Sequence, residues 1–373
     1  MLDFTSSLYL GFAHATEELE PWKQLTTGRP AAHEALPGIY EIECALASLI
    51  GTERALVAPS TLHFFWDLFG ILARWPIVIY FDSRLYPVAR WGVERAAAKG
   101  VRVNSFGHQD TGKLEELLCR DDSGGSVPVV VTDGLCTACG RAAPIASYIE
   151  SLRLRRGLLV LDDTQALGIL GLSPSANAPY GRGGGGSVRW CGIDGWHSNV
   201  AVISSMAKAF GAPLAVMAST KRLIDLFEGS SETRVHSSPP SMAALRAGAH
   251  ALHLNRAVGD RMRARLTRNV ARFRGVLESR ELKAMGGLFP VQTLDAGVSV
   301  DASTLHARLG AAGVRVVLRD DSRISLLITA RHSTSEIDKA AAVLANLTSE
   351  FSPTTWAARW ISGGVPQCTS LKV

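Results

Sequence analysis

LLVLDDTQALGILG, residues 158–171, is an apolar run that ends abruptly in two carboxylates and then enters a turn punctuated by Gly168 and Gly171. Four consecutive apolar residues without alternation read as a strand covered on both faces, the pattern of a parallel sheet. In open parallel sheets ligands lie beyond the carboxyl ends of the strands, so Asp162 stands at a functional edge; the plainer role for such a residue is a helix cap. Outward from this stretch, similar runs recur at 55–57 (ALV), 77–81 (IVIYF), 101–103 (VRV), 127–131 (VPVVV), 200–203 (VAVI) and 214–217 (LAVM). Between them lie segments such as Val88–Lys99 and Ala143–Arg155, whose apolar residues recur near every 3.6 positions, as in helices packed on a sheet. Alternating strands and helices predict an α/β fold whose large domain is built on a mostly parallel seven-stranded sheet.

The pattern changes downstream. Residues from about Ala243 to Leu282 are rich in Ala, Arg and Leu and read as helical. Shorter strands follow at 297–300 (GVSV), 314–319 (VRVVLR) and 323–329 (RISLLIT), with helices at Ala302–Ala312 and Ser335–Leu347. This predicts a smaller α+β C-terminal domain. Its Arg-rich helix at 261–274 reads as a solvated face, and GRGGGG at 181–186, lacking a P-loop lysine, as a flexible surface loop.

Composition narrows the classes. The 373 residues are 47% hydrophobic and 20% charged, enough for full cores and unlike a disordered chain. The longest apolar stretch, Leu62–Phe81, contains Asp67, Arg74 and Pro76. Each charge would cost roughly 2.5–3.5 kcal/mol at a bilayer centre, so no membrane span is expected. Asp3 and the lack of a basic leader argue against a secretory signal, which leaves the cytoplasm as the expected setting. The net charge of +5 comes from dispersed arginines, which suits acidic small ligands better than nucleic acid. Six cysteines are too few for a disulfide scaffold. Cys136 and Cys139 form a CxxC; a zinc ribbon would need a second such pair, and a redox motif a thioredoxin-like context, so no metal is expected and both thiols are expected to pack.

A second chemical stretch, SSMAKAFG (204–211), follows the 200–203 run directly. A lysine at the mouth of a strand, among small residues and before a glycine, is placed for an amine nucleophile or Schiff base, although a lysine there is as readily a solvated loop residue. With LDFTSSLYLG (2–11), IECALASLIGTERALVAPST (42–61), VTDGLCTACGRAAPI (131–145), DDTQALGILG (162–171), HSSPP (236–240) and TARHSTSEID (329–338), these segments resemble the pyridoxal 5'-phosphate (PLP) enzymes of the aspartate-aminotransferase fold. Within that fold the chain is most similar to the α-oxoamine synthase group, and the resemblance covers roughly residues 2–347.

The resemblance implies a PLP-dependent transferase fold with an arm at residues 1–45 joining the small domain, a large PLP-binding domain at 46–245, a small domain at 246–348 and a tail at 349–373. It implies that Lys208 carries the cofactor as a Schiff base and moves protons, and that Asp162 pairs with the pyridine nitrogen. The phosphate would sit at the turn Ser60, Thr61 and Leu62, beside Ser205, with Ser237 or Ser238 contributed by a partner in a homodimer. Thr137 takes the place of a serine that touches the ring oxygen.

Departures from the group pattern bear on the reaction. A ring-stacking histidine is Tyr86 here, whose face can also stack. The histidine three residues after the pyridine-pairing Asp is Gln165, an amide that hydrogen-bonds without exchanging a proton near neutral pH. The carboxylate-binding arginine aligns with Ser325. Arg323, about 6.6 Å away on the same strand face, serves in shifted register, or the substrate lacks that carboxylate or holds it elsewhere. Three readings follow: condensation of an amino acid with an acyl thioester (acyl-CoA or an acyl-carrier protein), an aminotransferase or other α-carbon enzyme of specialised metabolism, and a degenerate subunit supporting an active partner. Retention of Lys208 and Asp162 argues against the last.

Overall fold

The computed structural model describes residues 1–121, 125–193, 199–295, 301–320 and 322–349. Two compact units are present: Ser7–Thr267, and a smaller one made of Met1–Ser6 with the chain from Arg268 onward.

The smaller unit opens with β1 (Leu2–Asp3), and the larger holds β2 (Arg54–Ala58), β3 (Ile77–Asp82), β4 (Arg102–Phe106), β5 (Val127–Asp133), β6 (Leu158–Asp162), β7 (Val200–Ser205) and β8 (Ala215–Ser219). These seven strands of the larger unit form one sheet in the order β2-β8-β7-β6-β5-β3-β4. Neighbours from β7 to β4 are parallel, and β8 alone runs against both β7 and β2. The expected mostly parallel seven-stranded sheet is therefore present. Its central strands are apolar on both faces because helices cover both; Val129–Val131, Leu159–Leu161 and Ala201–Ile203 are almost completely buried.

Each parallel crossover contains a helix. In chain order the helices of this unit begin with α1 (Ile39–Ile50), α2 (Thr61–Leu72), α3 (Pro87–Ala98), α4 (Thr111–Asp121) and α5 (Ile145–Arg153), and continue past the short α6 (Ser187–Trp190) to α7 (Lys221–Ser230), α8 (Glu232–His236) and α9 (Met242–Leu254). Phe64, Phe65, Leu68 and Phe69 of α2 pack with Ala89, Val93 and Ala96 of α3 in the core beneath the sheet. Burying each such aromatic or aliphatic side chain is worth about 1.5–3 kcal/mol.

The smaller unit carries β9 (Val291–Asp295), β10 (Val314–Arg315), β11 (Val317–Asp320) and β12 (Arg323–Leu327). β11, β12 and β9 form an antiparallel sheet, and β1 pairs in parallel with β10. Helices Ala302–Ala311 and Thr334–Ser349 pack beside it through Leu305, Leu309, Ile337 and Leu344. The strand expected at 297–300 and the tail at 350–373 lie outside the described residues.

Three expectations need correction. Only residues 1–6 of the arm expected at 1–45 join the smaller unit, and 246–267 belong to the larger one. Burial explains this: Tyr9, Leu10 and Phe12, and Leu252 and Leu245 of α9, are core residues of the larger unit. Second, the 181–186 stretch is not a flexible surface loop. Leu172 and Arg182 exchange backbone hydrogen bonds, the Gly184 carbonyl accepts from Gly168 N–H at 2.8 Å, and Gly186 N–H reaches Leu170 O at 2.8 Å. Gly184 has φ +75°, and a Cβ there would lie 2.9 Å from the Gly168 carbonyl oxygen, so glycine is required for the close approach. Third, the Arg-rich helix is not wholly solvated: Arg263 is 2% exposed and donates to Gly168 O at 2.8 Å and Asn255 Oδ1 at 2.9 Å, with Asp260 as its ion partner at 2.8 Å. Sequence periodicity could not separate this one arginine from its neighbours, because a buried guanidinium is defined by partners distant in the chain. Among the described residues no helix is long and apolar enough to cross a membrane.

Candidate active site

The site lies at the carboxyl ends of β5, β6 and β7 in the larger unit. Asp162 is the last residue of β6 and is 5% exposed; its Oδ1 accepts the Thr164 backbone N–H at 3.1 Å. Burial pushes its pKa up, opposed by the Thr164 hydrogen bonds and by the nearby Lys208 charge. Asp133 ends β5 directly beside it in the parallel register. Its carboxyl is pushed up to about 8 by burial and by the adjacent Asp162, while the Tyr86 backbone N–H, donated to its Oδ1 at 3.1 Å, favours the charged form.

The neighbouring Asp163 has a different task. Ser187 donates both its backbone N–H, at 2.9 Å, and its hydroxyl to the Asp163 carboxylate, anchoring the glycine-rich strap that precedes α6. Burial raises its pKa to about 6 despite these bonds. Sequence alone offered two adjacent aspartates; pleating sends them to opposite sides.

Lys208 lies in the tight loop after β7. Gly211 N–H returns to Lys208 O at 3.2 Å and Ala212 N–H to Met206 O at 3.1 Å, so the loop is closed by its own backbone. Gly211 has φ +66°, and a Cβ would come within 2.5 Å of Phe12 O. The ammonium sits 5.7 Å from the centroid of the Tyr86 ring, a cation–π distance. Tyr86 is the N-cap residue of α3, and Pro87 at the first helical position fixes the chain direction there.

Ser60 is extended (φ −155°, ψ 161°) ahead of α2, whose first turn holds Thr61 and Leu62. Its hydroxyl makes no capping bond and meets His63 Nδ1 at 2.9 Å. A helix start with its hydroxyl unspent on capping is an anion-binding arrangement. On the other side, Ser205 N–H donates to Thr164 Oγ1 at 3.0 Å, and the Ser205 hydroxyl accepts from Ala207 N–H at 3.2 Å. Ser237 donates its hydroxyl to Thr233 O at 2.6 Å. With Ser238 it lines a cavity shared with Pro59 and His63 of the same chain, one residue either side of the Ser60–Leu62 turn. Gln165 is buried and accepts the Tyr9 hydroxyl at 2.9 Å. Thr137 lies half-buried in the turn after β5.

The larger unit thus brings Asp162, Gln165, Ser205, Lys208 and Tyr86 to one sheet edge. In the smaller unit Ser325 is fully buried; its hydroxyl meets Thr293 Oγ1 at 2.7 Å and accepts from Arg319 Nε at 3.0 Å. Arg323 begins the same strand, half-buried. Sequence reasoning missed Asp133, Tyr9, Thr164 and Arg319. The first had a signal, a carboxylate closing an apolar strand as in β6; Tyr9 and Thr164 pair with residues far along the chain, and Arg319 meets Ser325 from the neighbouring strand.

The residues present fit a pyridinium phosphate. A buried carboxylate whose pKa burial raises would be kept charged by a cation in hydrogen-bond reach, an aromatic face lies beside the lysine, and a helix start opens toward an anion. By sequence, residues 2–344 match the family described as aminotransferase class I and II. The 8-amino-7-oxononanoate synthase of Trichlorobacter lovleyi is 28% identical over 330 residues, 86% of this chain and 78% of that protein. That of Methylococcus capsulatus is 28% identical over 366 residues, covering 92% and 88%. Among solved structures, a serine palmitoyltransferase from S. paucimobilis, determined with bound PLP and myriocin, aligns with a TM-score of 0.80 at 15% identity over 94% of this chain and 87% of that one. An 8-amino-7-oxononanoate synthase from Francisella tularensis aligns with a TM-score of 0.71 at 17% identity over 93% and 98%. These likenesses establish a shared fold, and the family match over residues 2–344 establishes descent: the chain belongs to the aminotransferase class I and II family.

Proposed function

We propose that this protein is a PLP-dependent transferase that works at the α-carbon of an amino acid and joins that carbon to an acyl group delivered as a thioester. The observation that carries this reading is the buried carboxylate of Asp162 at the end of β6 within electrostatic reach of Lys208, whose ammonium lies 5.7 Å from the centroid of the Tyr86 ring. Similarity to 8-amino-7-oxononanoate synthases supports the condensing reaction over amino transfer.

Bound in this site, PLP supplies an aldehyde for capture of amines and a ring that accepts electrons from the α-carbon. Lys208 provides the covalent tether through Nζ and carries the proton to and from the substrate α-carbon. Asp162 holds the ring nitrogen protonated, and Tyr86 offers its ring face for stacking. Gln165, fixed by Tyr9, keeps its amide N–H₂ available for the ring oxygen, as does the Thr137 hydroxyl. The α2 start at Ser60, Thr61 and Leu62, with Ser205, holds the phosphate; Ser237 and Ser238 add to it across a homodimer. The candidates for contacting a substrate carboxylate are Arg323 and Ser325. The acyl donor is acyl-CoA or an acyl-carrier protein, for which the basic charge balance is suited, and the setting is the cytoplasm.

The test is incubation of the purified protein, loaded with PLP, with candidate amino acids with and without acyl-CoA, followed by mass spectrometry. Thioester-dependent acyl gain with loss of CO2 is the expected product signature. Amino transfer to a keto acid without thioester would assign the aminotransferase reaction instead.

A further inference from the structure

The turn that follows β5 contains a set of soft ligands that the proposed reaction does not use. Cys136 Sγ, Cys139 Sγ and a nitrogen of His108 lie within 4.8 Å of one another. His108 comes from the loop after β4, so the group is assembled from two neighbouring crossovers of the larger unit. The sequence showed only half of it: CxxC without a second pair.

The local geometry is that of a metal-ligand turn. The residues form the run Cys136-Thr137-Ala138-Cys139-Gly140. Gly140 has φ +67°, its N–H returns to Cys136 O at 2.8 Å, and Cys136 N–H bonds Arg141 O at 3.0 Å.

The histidine is held for the same purpose. Its Nδ1 faces both oxygens of Asp82, at 3.0 and 3.2 Å. A carboxylate only accepts, so Nδ1 carries the proton and Nε2 presents its lone pair, 3.4 Å from Cys139 Sγ. Asp82 is 2% exposed and locked by the Arg84 and Gln109 backbone N–H groups at 2.8 and 2.9 Å. Carboxylate–histidine orientation of this kind is the usual outer support of a zinc ligand. The 3.4 Å separation of Nε2 and Sγ matches the ~3.5 Å edge that arms of ~2.3 Å to sulfur and ~2.0 Å to nitrogen span at a tetrahedral centre.

We infer that Cys136, Cys139 and His108 bind one soft divalent cation, zinc in preference to magnesium or calcium, with Asp82 as the positioning residue and a water at the fourth corner. No electron transfer is involved; the two thiols lose their protons on binding. Because Thr137 lies between the two cysteines, the cation clasps the turn that carries it. The site itself stands independently of the PLP reading; only this consequence for Thr137 rests on it.

The experiment uses the full chain, reduced, stripped with a chelator and titrated with Co²⁺, read as a difference spectrum against the metal-free protein. One equivalent is expected to produce intense thiolate-to-cobalt bands together with the visible bands of a tetrahedral site, and Zn²⁺ should displace it. Cys139→Ser and His108→Asn should abolish or strongly shift the bands, Asp82→Asn should weaken affinity about 10–100-fold, and Cys119→Ser should change nothing. Wild-type protein that gives no thiolate–cobalt bands, bands that survive both ligand substitutions, or a Cys136–Cys139 disulfide that persists under reducing conditions would each overturn the site. None of these readouts depends on B6 binding or turnover, so failure here leaves the proposed reaction untouched.

Discussion

Burial works against the charge of Asp162 while the nearby Lys208 favours it, and single substitutions at these two proposed site residues are the most informative. Lys208→Ala removes both the tether and the proton carrier. Turnover should fall by at least about 10³-fold, and borohydride treatment should no longer fix the cofactor's mass to the 204–211 peptide. Gln165 tests the departure from the group pattern. An amide cannot titrate near neutrality, so Gln165→His should introduce an ionisation near the ordinary histidine value, about 6.5, into the pH–activity profile, absent from wild type. An unchanged profile would separate position 165 from the reacting atoms.

At the scale of elements, the carboxyl ends of β5 and β6 place Asp133 against Asp162, and this has a measurable pH signature. The Asp133 carboxyl rises from an ordinary 3.8 to about 8 in the folded chain. A carboxyl whose folded pKa is raised binds more protons folded than unfolded. Its contribution to stability is therefore full below about 4 and is lost as pH rises toward about 8. Cofactor-free Asp133→Asn should lose that part of the downward slope of stability between those limits, measured by denaturant unfolding at each pH, while keeping an acceptor for the Tyr86 N–H. The glycine strap gives a second prediction. Gly184→Ala puts a methyl 2.9 Å from the Gly168 carbonyl oxygen at φ +75° and should cost about 1–3 kcal/mol, read as a Tm drop of several degrees. The same substitution at Gly229, where no atom lies within 4 Å, should be nearly neutral or stabilising.

At the scale of the molecule, the proposed phosphate contact of Ser237 and Ser238 across two copies requires a homodimer, which sedimentation should detect at micromolar concentration; a persistent monomer would remove that contact from the site. How much of this could be read in the sequence depends on range. The strands were legible because burial on both faces is written locally, as uninterrupted apolar runs ending in Asp133, Asp162 and Ser205. Lys208 and Asp162 were proposed from the sequence because strand ends mark the functional edge and the surrounding motifs match a family. The arm was misjudged because membership in a unit depends on what Tyr9, Leu10 and Phe12 pack against. Arg263 and the 181–186 strap were misjudged because a charged helix and a run of glycines look the same buried or solvated. Patterns a few residues long were enough to read the α/β class, the seven strands and the carboxylate and amine proposed for the site. That Asp163 anchors a strap, that Asp133 stands beside Asp162, and that His108 joins Cys136 and Cys139 became visible in three dimensions, because each depends on contacts between segments the chain keeps far apart.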